Sequence, residues 1–515
     1  MINRKLAVGI DLGTTYSSIA IVNDNGDPDI LTNAEGERLT PSAIFFDEDS
    51  IVIGDLAKDN AVIHPTEVIQ FVKREMGNAD FYFRHKGHKL SPVDMSALIL
   101  KKLKKDAETL LGQPIEYAVV TIPAYFDERR RRATEQAGEI AGFTVLKLIN
   151  EPTAAAISFG FQKSKQDETV LIYDLGGGTF DVTLMRVEQR GENIKILSSE
   201  GEHRLGGKDF DDAIITKCVS QFKEAHGFDP SEDASENQQL RFDAEKAKKE
   251  LSLRNRSRIL VRARGLRSEV ALTRDEFKEL VNPKIETTLA LVRTALRSAK
   301  VETSEVDRVL MIGGSTRIPA VREAVEAMFA KPPDVSVNPD EAVCHGAAIL
   351  AAKELMALSG GVTSEAVAEK VGGIQITDVV SHSIGIEASA PGTNQKINSI
   401  LIRKNSAIPC EVSKEFITTI HGQTAIRLTI YQGEFQNPSL CNPIGNFTMT
   451  GLPQNRPAGK KVRVTVACTE SGTVKVIAKD IESGVETTTN VEYSFKDSAN
   501  QVSAKQLWME TLPIE

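Results

Sequence analysis

Asp174-Leu-Gly-Gly-Gly-Thr-Phe-Asp181 gathers two carboxylates, three glycines and a hydroxyl into one short stretch. Glycines let a chain turn sharply and leave its N–H groups uncovered, which suits a nest for phosphate oxygens. An aspartate at the lip of such a nest suits a hydrated Mg2+. Asp and Gly are also ordinary turn residues, so this stretch alone serves equally well as a plain hairpin tip. The apolar Val170–Tyr173 before it and the alternating Val182–Val187 after it predict the two strands of that hairpin.

The same theme occurs earlier. Leu6–Ile10 leads into Asp11-Leu-Gly-Thr-Thr15 and then Ser18–Val22, and a repeated hairpin says more than a single one. The echo continues in the elements behind each hairpin. Strand Val119–Ile122 breaks at Pro123-Ala-Tyr-Phe126 before a helix over Glu128–Ala141, and strand Val309–Ile312 breaks at Gly313–Arg317 before a helix over Pro319–Met328. Alanine-rich helices follow Asn150-Glu-Pro-Thr and Asn338-Pro-Asp-Glu. Residues 5–358 therefore read as two copies of one α/β lobe, with a cleft between them into which both hairpins face. Residues 208–300 are an insertion of long amphipathic helices, an acidic solvated loop over Asp229–Glu236 and two short strands. After Leu358 the pattern turns almost wholly to strand, from Ile374 to Phe495, and predicts an antiparallel β-domain followed by a short tail carrying Trp508.

A chain of 515 residues is too long for one core, and 41% hydrophobic with 26% charged residues is a soluble globular composition. A net charge of −9 argues against a general nucleic-acid or anionic-membrane binder, and no apolar run approaches the ~20 residues of a membrane helix. The N-terminus lacks signal-peptide architecture, and the five scattered cysteines read as reduced, so a cytoplasmic location is expected. The run Arg129–Arg132 follows Asp127 and Glu128 at a helix start and reads as a solvated face. Glu245, Lys248, Lys249 and Ser252 share one helical face by spacing, which most often means exposed charge. Lys73 taken alone is a surface lysine, no better a candidate than Arg74. No G-x-x-x-x-G-K-[ST] sequence is present, so the chain has no P-loop.

D-L-G-T-T, Q-F-V-K, I-P-A-Y-F, N-E-P-T-A-A-A, D-L-G-G-G-T-F-D, E-K-A-K-K-E-L-S, G-G-S-T-R-I-P and N-P-D-E-A-V occur in this order. This resembles the heat-shock-70 (DnaK-type) chaperones over roughly residues 5–495. The resemblance implies an α/β two-lobed, actin-like (ribonuclease H-like, duplicated) ATPase domain over 1–370, a linker at 371–378, and an all-β peptide-binding sandwich over 379–495. A tail, 496–515, follows where the family carries a helical lid. The implied cofactors are ATP/ADP, Mg2+ and K+. Asp11 and Asp174 would orient the metal through its water. Gly13, Thr14, Thr15, Gly176, Gly177, Gly178, Gly206 and Gly207 would hold phosphates. Lys73, Glu151, Thr179 and Asp181 would serve catalysis. Glu245, Lys248 and Ser252 would bind ribose and base, with Lys249 and Arg317 sandwiching adenine and Gly313, Gly314, Ser315 and Asp340 closing the pocket. Ile386, Phe416 and Ile426 would line the peptide pocket under an arch of Ser389 and Thr419, and Pro123, Arg131 and Asp378 would relay nucleotide state.

Some positions depart from the family pattern. Ser389 and Thr419 are more polar than usual arch residues, the linker Ile374-Gln-Ile-Thr has two polar residues where leucines are usual, and Lys147 replaces an arginine at the position expected to dock a J-domain. The segment Met76–Pro92 is short, resembling a compact bacterial branch. The resulting expectation is an ATP-hydrolysing, stress-type chaperone for exposed hydrophobic peptides, working with a J-domain co-chaperone and leaving the nucleotide exchange factor open. A regulator with slow ATPase and few dedicated clients is the alternative. A sugar kinase is disfavoured, because residues 374–495 have no place in one.

Overall fold

The computed structural model describes residues 5–515 except 164–165, 360–363, 391–392, 394, 471 and 491–498. Two mixed sheets form its first two-thirds. In the first, strands run in the order Thr144–Asn150, Tyr117–Ile122, Ala7–Asp11, Tyr16–Val22, Pro28–Leu31, with Thr40–Pro41 also on Tyr16–Val22. In the second, the order is Arg308–Ile312, Glu168–Leu175, Phe180–Glu188, Asn193–Glu202, Gln375–Thr377. The two correspond strand for strand around a central hairpin. Each hairpin's first strand pairs in parallel with a later strand, Ala7–Asp11 with Tyr117–Ile122 and Glu168–Leu175 with Arg308–Ile312. All eight residues of Glu168–Leu175 are buried, which explains a nearly continuous apolar run where alternation marks a one-sided strand.

Helices Glu151–Lys163 and Ala342–Ser359 pack on each other between the sheets. Their alanines join residues of both hairpins in one apolar cluster: Ala154, Ala155, Ala347 and Ala348 meet Ala7, Ala20, Val170 and Ile172. Small residues are required at the crossing. A Cβ on Gly9 would lie 2.0 Å from the Ala348 nitrogen, and one on Gly346 would lie 1.7 Å from the Ala154 oxygen. Over the second sheet, helices Gly207–His226, Ala234–Leu253 and Arg274–Ala299 close on the hairpin Arg256–Ala263 and Leu266–Thr273. Those strands are eight residues each, longer than expected, and the Asp229–Glu236 stretch contains a 3-10 turn, Pro230–Glu232, and the start of a helix.

After Ser359 a further helix, Glu365–Val371, intervenes before the strands begin. The turn expected to close the preceding helix and the expected sandwich end at 495 lie outside the described residues. Gln375–Thr377 adds in parallel to the edge of the second sheet, with Gln375 N–H donating to the Glu192 carbonyl at 2.6 Å. Two four-stranded antiparallel sheets then face each other over Ile384, Ile386, Leu428, Ile430, Val462, Val464, Val466 and Val476.

The β-domain docks on the first lobe, and here the Arg129–Arg132 run is not the solvated face its composition suggests. Arg131 donates to Asn150 Oδ1 at 3.0 Å, and Arg132 binds Glu128 and Glu135 and reaches Thr473 Oγ1 at 3.3 Å. Gln432 Oε1 accepts from the Glu128 N–H at 2.9 Å, and Asn442 donates to Asp127 at 3.2 Å. Asp127 caps the helix locally by accepting from the Arg130 N–H at 2.9 Å, and Gln432 satisfies the Glu128 N–H from across the contact, which no local spacing reveals.

The tail forms helix Ala499–Glu510 and packs on the first lobe. Val502, Met509 and Ile514 are buried in that lobe's core, Trp508 lies against His88 with ring centroids 4.6 Å apart, and Lys505 pairs with Asp94 at 2.8 Å. Residues 513–515 run beside Ile51–Ile53 and exchange backbone hydrogen bonds with it.

Candidate functional site

Between the two sheets lies a cleft of about 680 Å3. It is lined by Asp11, Gly13, Thr14, Thr15, Lys73, Glu151, Asp174, Gly176, Gly177, Thr179 and Gly207 on one side. Glu245, Lys248, Lys249, Ser252, Gly313, Gly314, Ser315, Arg317 and Asp340 complete it. Gly178, Asp181 and Gly206, grouped with these by sequence, do not line it. Gly206 supports the second hairpin from behind, where a Cβ would lie 2.6 Å from the Gly178 nitrogen, and Asp181 is 1% exposed.

The hairpins place their acids inside strands, not in the turns. Asp11 ends the strand Ala7–Asp11, and Asp174 and Asp181 face each other across the second hairpin. The turns are Leu12–Thr15 and Gly176–Thr179, and they touch: a Cβ on Gly177 would lie 2.4 Å from Thr15 Oγ1, and one on Gly178 would lie 2.3 Å from Thr14 Cγ2. Gly207 N–H donates to the Gly176 carbonyl and Lys208 N–H to the Gly177 carbonyl, both at 2.9 Å. These bonds start helix Gly207–His226 directly on the second turn. A helix N-terminus beside a glycine turn concentrates N–H donors toward an anion.

Lys73 sits in one 3-10 turn, Val72–Glu75, entered through Phe71 at φ 61°, an uncommon backbone for a non-glycine residue. This is not the surface helix position that the residue type alone suggests: Lys73 is 4% exposed and ion-paired to Glu151. Burial by itself would lower the Lys73 pKa, but Glu151, Asp11 and Asp181 outweigh it and raise it. Burial, then the charge of Glu151, push Asp11 up to about 7 and Asp181 up to about 8, and Asp174 is driven well above the usual carboxylate range. Thr121 Oγ1 donates to Asp11 at 3.1 Å, and the Tyr125 N–H donates to Asp181 at 3.1 Å.

Arg74, given no role from sequence, points the same way. Its guanidinium donates to the Gly178 carbonyl at 2.7 and 3.0 Å and pairs with Asp209, so a first-lobe residue clasps the second-lobe turn. Lys58, also unflagged, crosses the cleft to Glu245 at 2.9 Å and donates to Tyr16 Oη at 3.2 Å. Burial alone would raise Glu245, but Lys58 and Lys249 overcome it and hold the carboxyl down to about 2. Only partners more than a hundred residues away give Lys58 and Arg74 their meaning, and no motif marks them. Lys249 pairs with Glu245 at 2.7 Å and Arg317 with Asp340 at 2.6 Å.

Elsewhere the structure sorts the expected residues less simply. Asn150 Nδ2 donates to Asp378 Oδ2 at 3.1 Å, so Arg131, Asn150 and Asp378 form one chain, and burial raises the Asp378 pKa. Pro123 begins the turn that carries Tyr125. Ile386 is wholly enclosed in the sandwich core, with Phe416 and Ile426 packed partly buried against it. Ser389 and Thr419 are exposed. The cysteines are less scattered in space than in sequence: Cys410 and Cys468 stand directly opposite each other on adjacent strands, both as free thiols. No helix among the described residues is long and apolar enough to cross a membrane.

Paired α/β sheets with a cleft lined by two glycine turns, and a β-domain docked beside them, define a two-part protein. The family model described as Hsp70 protein matches residues 7–82 and 78–511, and the chain belongs to the Hsp70 family. That family consists of ATP-dependent chaperones that bind ATP and ADP with Mg2+, hydrolyse ATP, and engage unfolded peptides and J-domain co-chaperones.

Proposed function

We propose that the two sheets form an actin-like ATPase whose hydrolysis sets the grip of the β-sandwich on apolar peptide segments. The observation that carries this reading is the meeting of both glycine turns beside the buried Lys73–carboxylate cluster. The triphosphate lies between the turns Leu12–Thr15 and Gly176–Thr179, against the N–H groups of Thr14, Thr15 and Gly177, with adenosine between Lys249 and Arg317. Lys73 sets positive charge against the equatorial oxygens of the γ-phosphate. Water attacks phosphorus as the bond to the ADP oxygen breaks, and its proton passes to Asp181, the carboxylate that acts as general base once a bound cation offsets the charge of its neighbours. Asp11, Asp174, Glu151 and Asp181 outnumber Lys73, and their mutual repulsion fits a divalent cation. Asp11 and Asp174 would hold Mg2+ through its water and neutralise the phosphates.

The sandwich takes an extended peptide through main-chain bonds and an apolar pocket near Phe416 and Ile426. The strand Gln375–Thr377, and the Arg131–Asn150–Asp378 chain behind it, carry nucleotide state to that pocket, and the same surface is where a J-domain would dock. The test is the dissociation rate of a fluorescent apolar peptide with and without ATP, in wild type and Lys73→Ala. ATP should speed release in the wild type. Unchanged release from a protein that still hydrolyses ATP would sink the coupling. Enclosure of Ile386 and exposure of polar Ser389 and Thr419 favour a second reading, a regulator with few clients. A peptide array showing one motif instead of scattered apolar hits would select it.

A further inference from the structure

Two cysteines far apart in sequence, Cys410 and Cys468, are brought into register by the sandwich. Cys410 opens the edge strand Cys410–Ile417, Cys468 ends the neighbouring strand Lys461–Cys468, and the two residues face each other in the antiparallel ladder. Facing residues in such a ladder have Cα atoms about 4.5 or 5.5 Å apart, and both separations lie within the roughly 4.4–6.8 Å that a disulfide spans. Side chains alternate along a strand, so Cys468 points inward with Val464 and Val466, and Cys410 points the same way as Phe416. Both thiols accordingly pack in the sandwich's apolar cluster. Cys218 and Cys344 lie in helices of the lobes and Cys441 follows a 3-10 turn, so none of these three faces another cysteine across a ladder.

The pair sits at the end of the sandwich that meets the ATPase lobes. Cys468 there lines a cavity of about 310 Å3, with Arg131, Asp378, Ile408 and Pro409. Hydrogen peroxide needs little more room than two waters, which take about 30 Å3 each in the liquid. The two thiols are not equivalent. Cys468 is 4% exposed, and burial, then Cys410, push its pKa up to about 12 against the charge of Arg131. Cys410 is only half-buried; burial raises its pKa, and the Cys468 N–H beside its sulfur lowers it. The thiolate is the reacting form, so Cys410 is the better nucleophile and Cys468 its resolving partner.

We infer that Cys410 and Cys468 form a reversible disulfide site whose oxidant is a hydroperoxide. The Cys410 thiolate attacks a peroxide oxygen and the O–O bond breaks. The departing oxygen takes up the proton the thiol has lost and leaves as water or an alcohol, with Cys410 now a sulfenic acid. The Cys468 sulfur attacks that sulfur, the S–S bond forms, and the expelled hydroxide takes the Cys468 proton and leaves as water. The thiols together lose two electrons and the peroxide gains them. A small thiol reverses the bond by exchange.

The bond fastens the stretch of sandwich that grips the incoming chain. Just ahead of Cys410, the Ile408 N–H donates to the Asp378 carbonyl and the Val380 N–H to the Ser406 carbonyl, both at 2.9 Å, and the Asn405 N–H donates to the Val380 carbonyl at 2.8 Å. Among the described strands, Cys410–Ile417 has no neighbour on its other side, so the tie of this stretch to the sheet begins at Cys410. A disulfide to Cys468 makes that tie covalent and removes freedom from the opened state.

The reduced full chain would be exposed to hydrogen peroxide, digested without reductant and mapped by mass spectrometry. A peptide pair joined through 410 and 468, lighter by two hydrogens and separated by dithiothreitol, is expected. Amide exchange over residues 403–410 should slow by about tenfold or more in the oxidised protein. In Cys468→Ala, dimedone should trap a sulfenic acid on Cys410, whereas in Cys410→Ala the remaining Cys468 should stay reduced. The joined pair is read in the wild type, so misfolding of either variant leaves that result intact. A folded wild type that stays unlinked, or that links only after unfolding in urea, would overturn the inference. Sulfenic acid on Cys468 in Cys410→Ala would overturn the assignment of nucleophile, and unchanged exchange in the linked protein would overturn the fastening. None of these outcomes depends on whether the cleft hydrolyses ATP.

Discussion

The two hairpins occupy the same place in matched sheets, yet they are fastened differently. Opposite Asp11 stands Ser18, and opposite Asp174 stands a second acid, Asp181. The first turn is held by its own lobe: Gly13 N–H donates to Ser17 Oγ at 3.1 Å, and Ser42 Oγ donates to the Gly13 carbonyl at 2.9 Å. The second is held from several directions, by Arg74 of the first lobe, by the start of helix Gly207–His226, and by Ser315 Oγ on the Gly176 carbonyl at 2.9 Å. One scaffold, used twice, has yielded a fixed wall and a reactive, cross-linked one. The second hairpin is where chemistry and lobe position meet.

The hardest test of that asymmetry is Asp181→Asn, which turns the reactive hairpin toward the composition of the fixed one. Single-turnover ATP hydrolysis should fall by about 10²–10⁴-fold, the usual contribution of a general base, with ATP affinity kept. The matching change Ser18→Ala should leave the rate within about twofold, since the buried hydroxyl opposite Asp11 is no proton acceptor comparable to a carboxylate. Lys73→Ala should cost about 10²–10³ through loss of charge against the phosphate. Comparable effects of Ser18→Ala and Asp181→Asn would erase the distinction.

Arg74→Ala strips the clasp and leaves the Gly178 carbonyl and Asp209 short of a partner. An orphaned buried acceptor costs about 1–3 kcal/mol, so turnover should drop roughly tenfold. Arg74→Lys should recover only part of this, because a lysine cannot reproduce the forked pair of bonds to one carbonyl and a carboxylate.

The asymmetry extends to the lobes, since the tail packs its helix and its last residues on the first lobe. Ending the chain before Ala499 uncovers the sites of Val502, Met509 and Ile514, and should lower the first lobe's melting temperature by about 5 °C. Hydrogen exchange should locate the loss around Ile51–Ile53 and Pro92–Leu111 and spare the second hairpin.

Much of this was legible beforehand, for a definable reason. Glycine turns, capping prolines and the strands beside them are local features, and residues 168–188 announce their hairpin in one short run. Motifs whose order is specific pointed to much of the cleft's lining, but not to Lys58, and Gly178, Asp181 and Gly206 lie behind it. What could not be read is contact across long separations. Arg74 is one residue from Lys73 and carries no motif, Arg132 reaches Thr473 of the sandwich besides its own helix, and the tail's helix finds its groove beside Asp94 and His88. Lys73 itself was placed by resemblance, because a charge amid apolar neighbours means surface until the fold shows that four carboxylates surround it.

The smallest expected effect bears on how the walls close. Lys58 to Glu245 is a direct ion pair across the cleft mouth, with side chains about a fifth exposed, and such pairs are worth about 1 kcal/mol at most. Lys58→Ala should therefore speed release of a fluorescent ADP analogue up to about fivefold and leave hydrolysis nearly unchanged. The pH response follows from Glu245, whose carboxyl is held down to about 2. A depressed acid contributes its stabilisation above its free value of about 4.3 and loses it as pH falls toward 2. Release from the wild type should thus be flat in this respect from pH 5 to 9 and quicken only below about 4, a limb that Lys58→Ala removes. If Lys58→Ala slows hydrolysis as much as Arg74→Ala does, the mouth and the reactive hairpin move as one body, and the division between a fixed and a cross-linked wall must be redrawn to include the adenosine side.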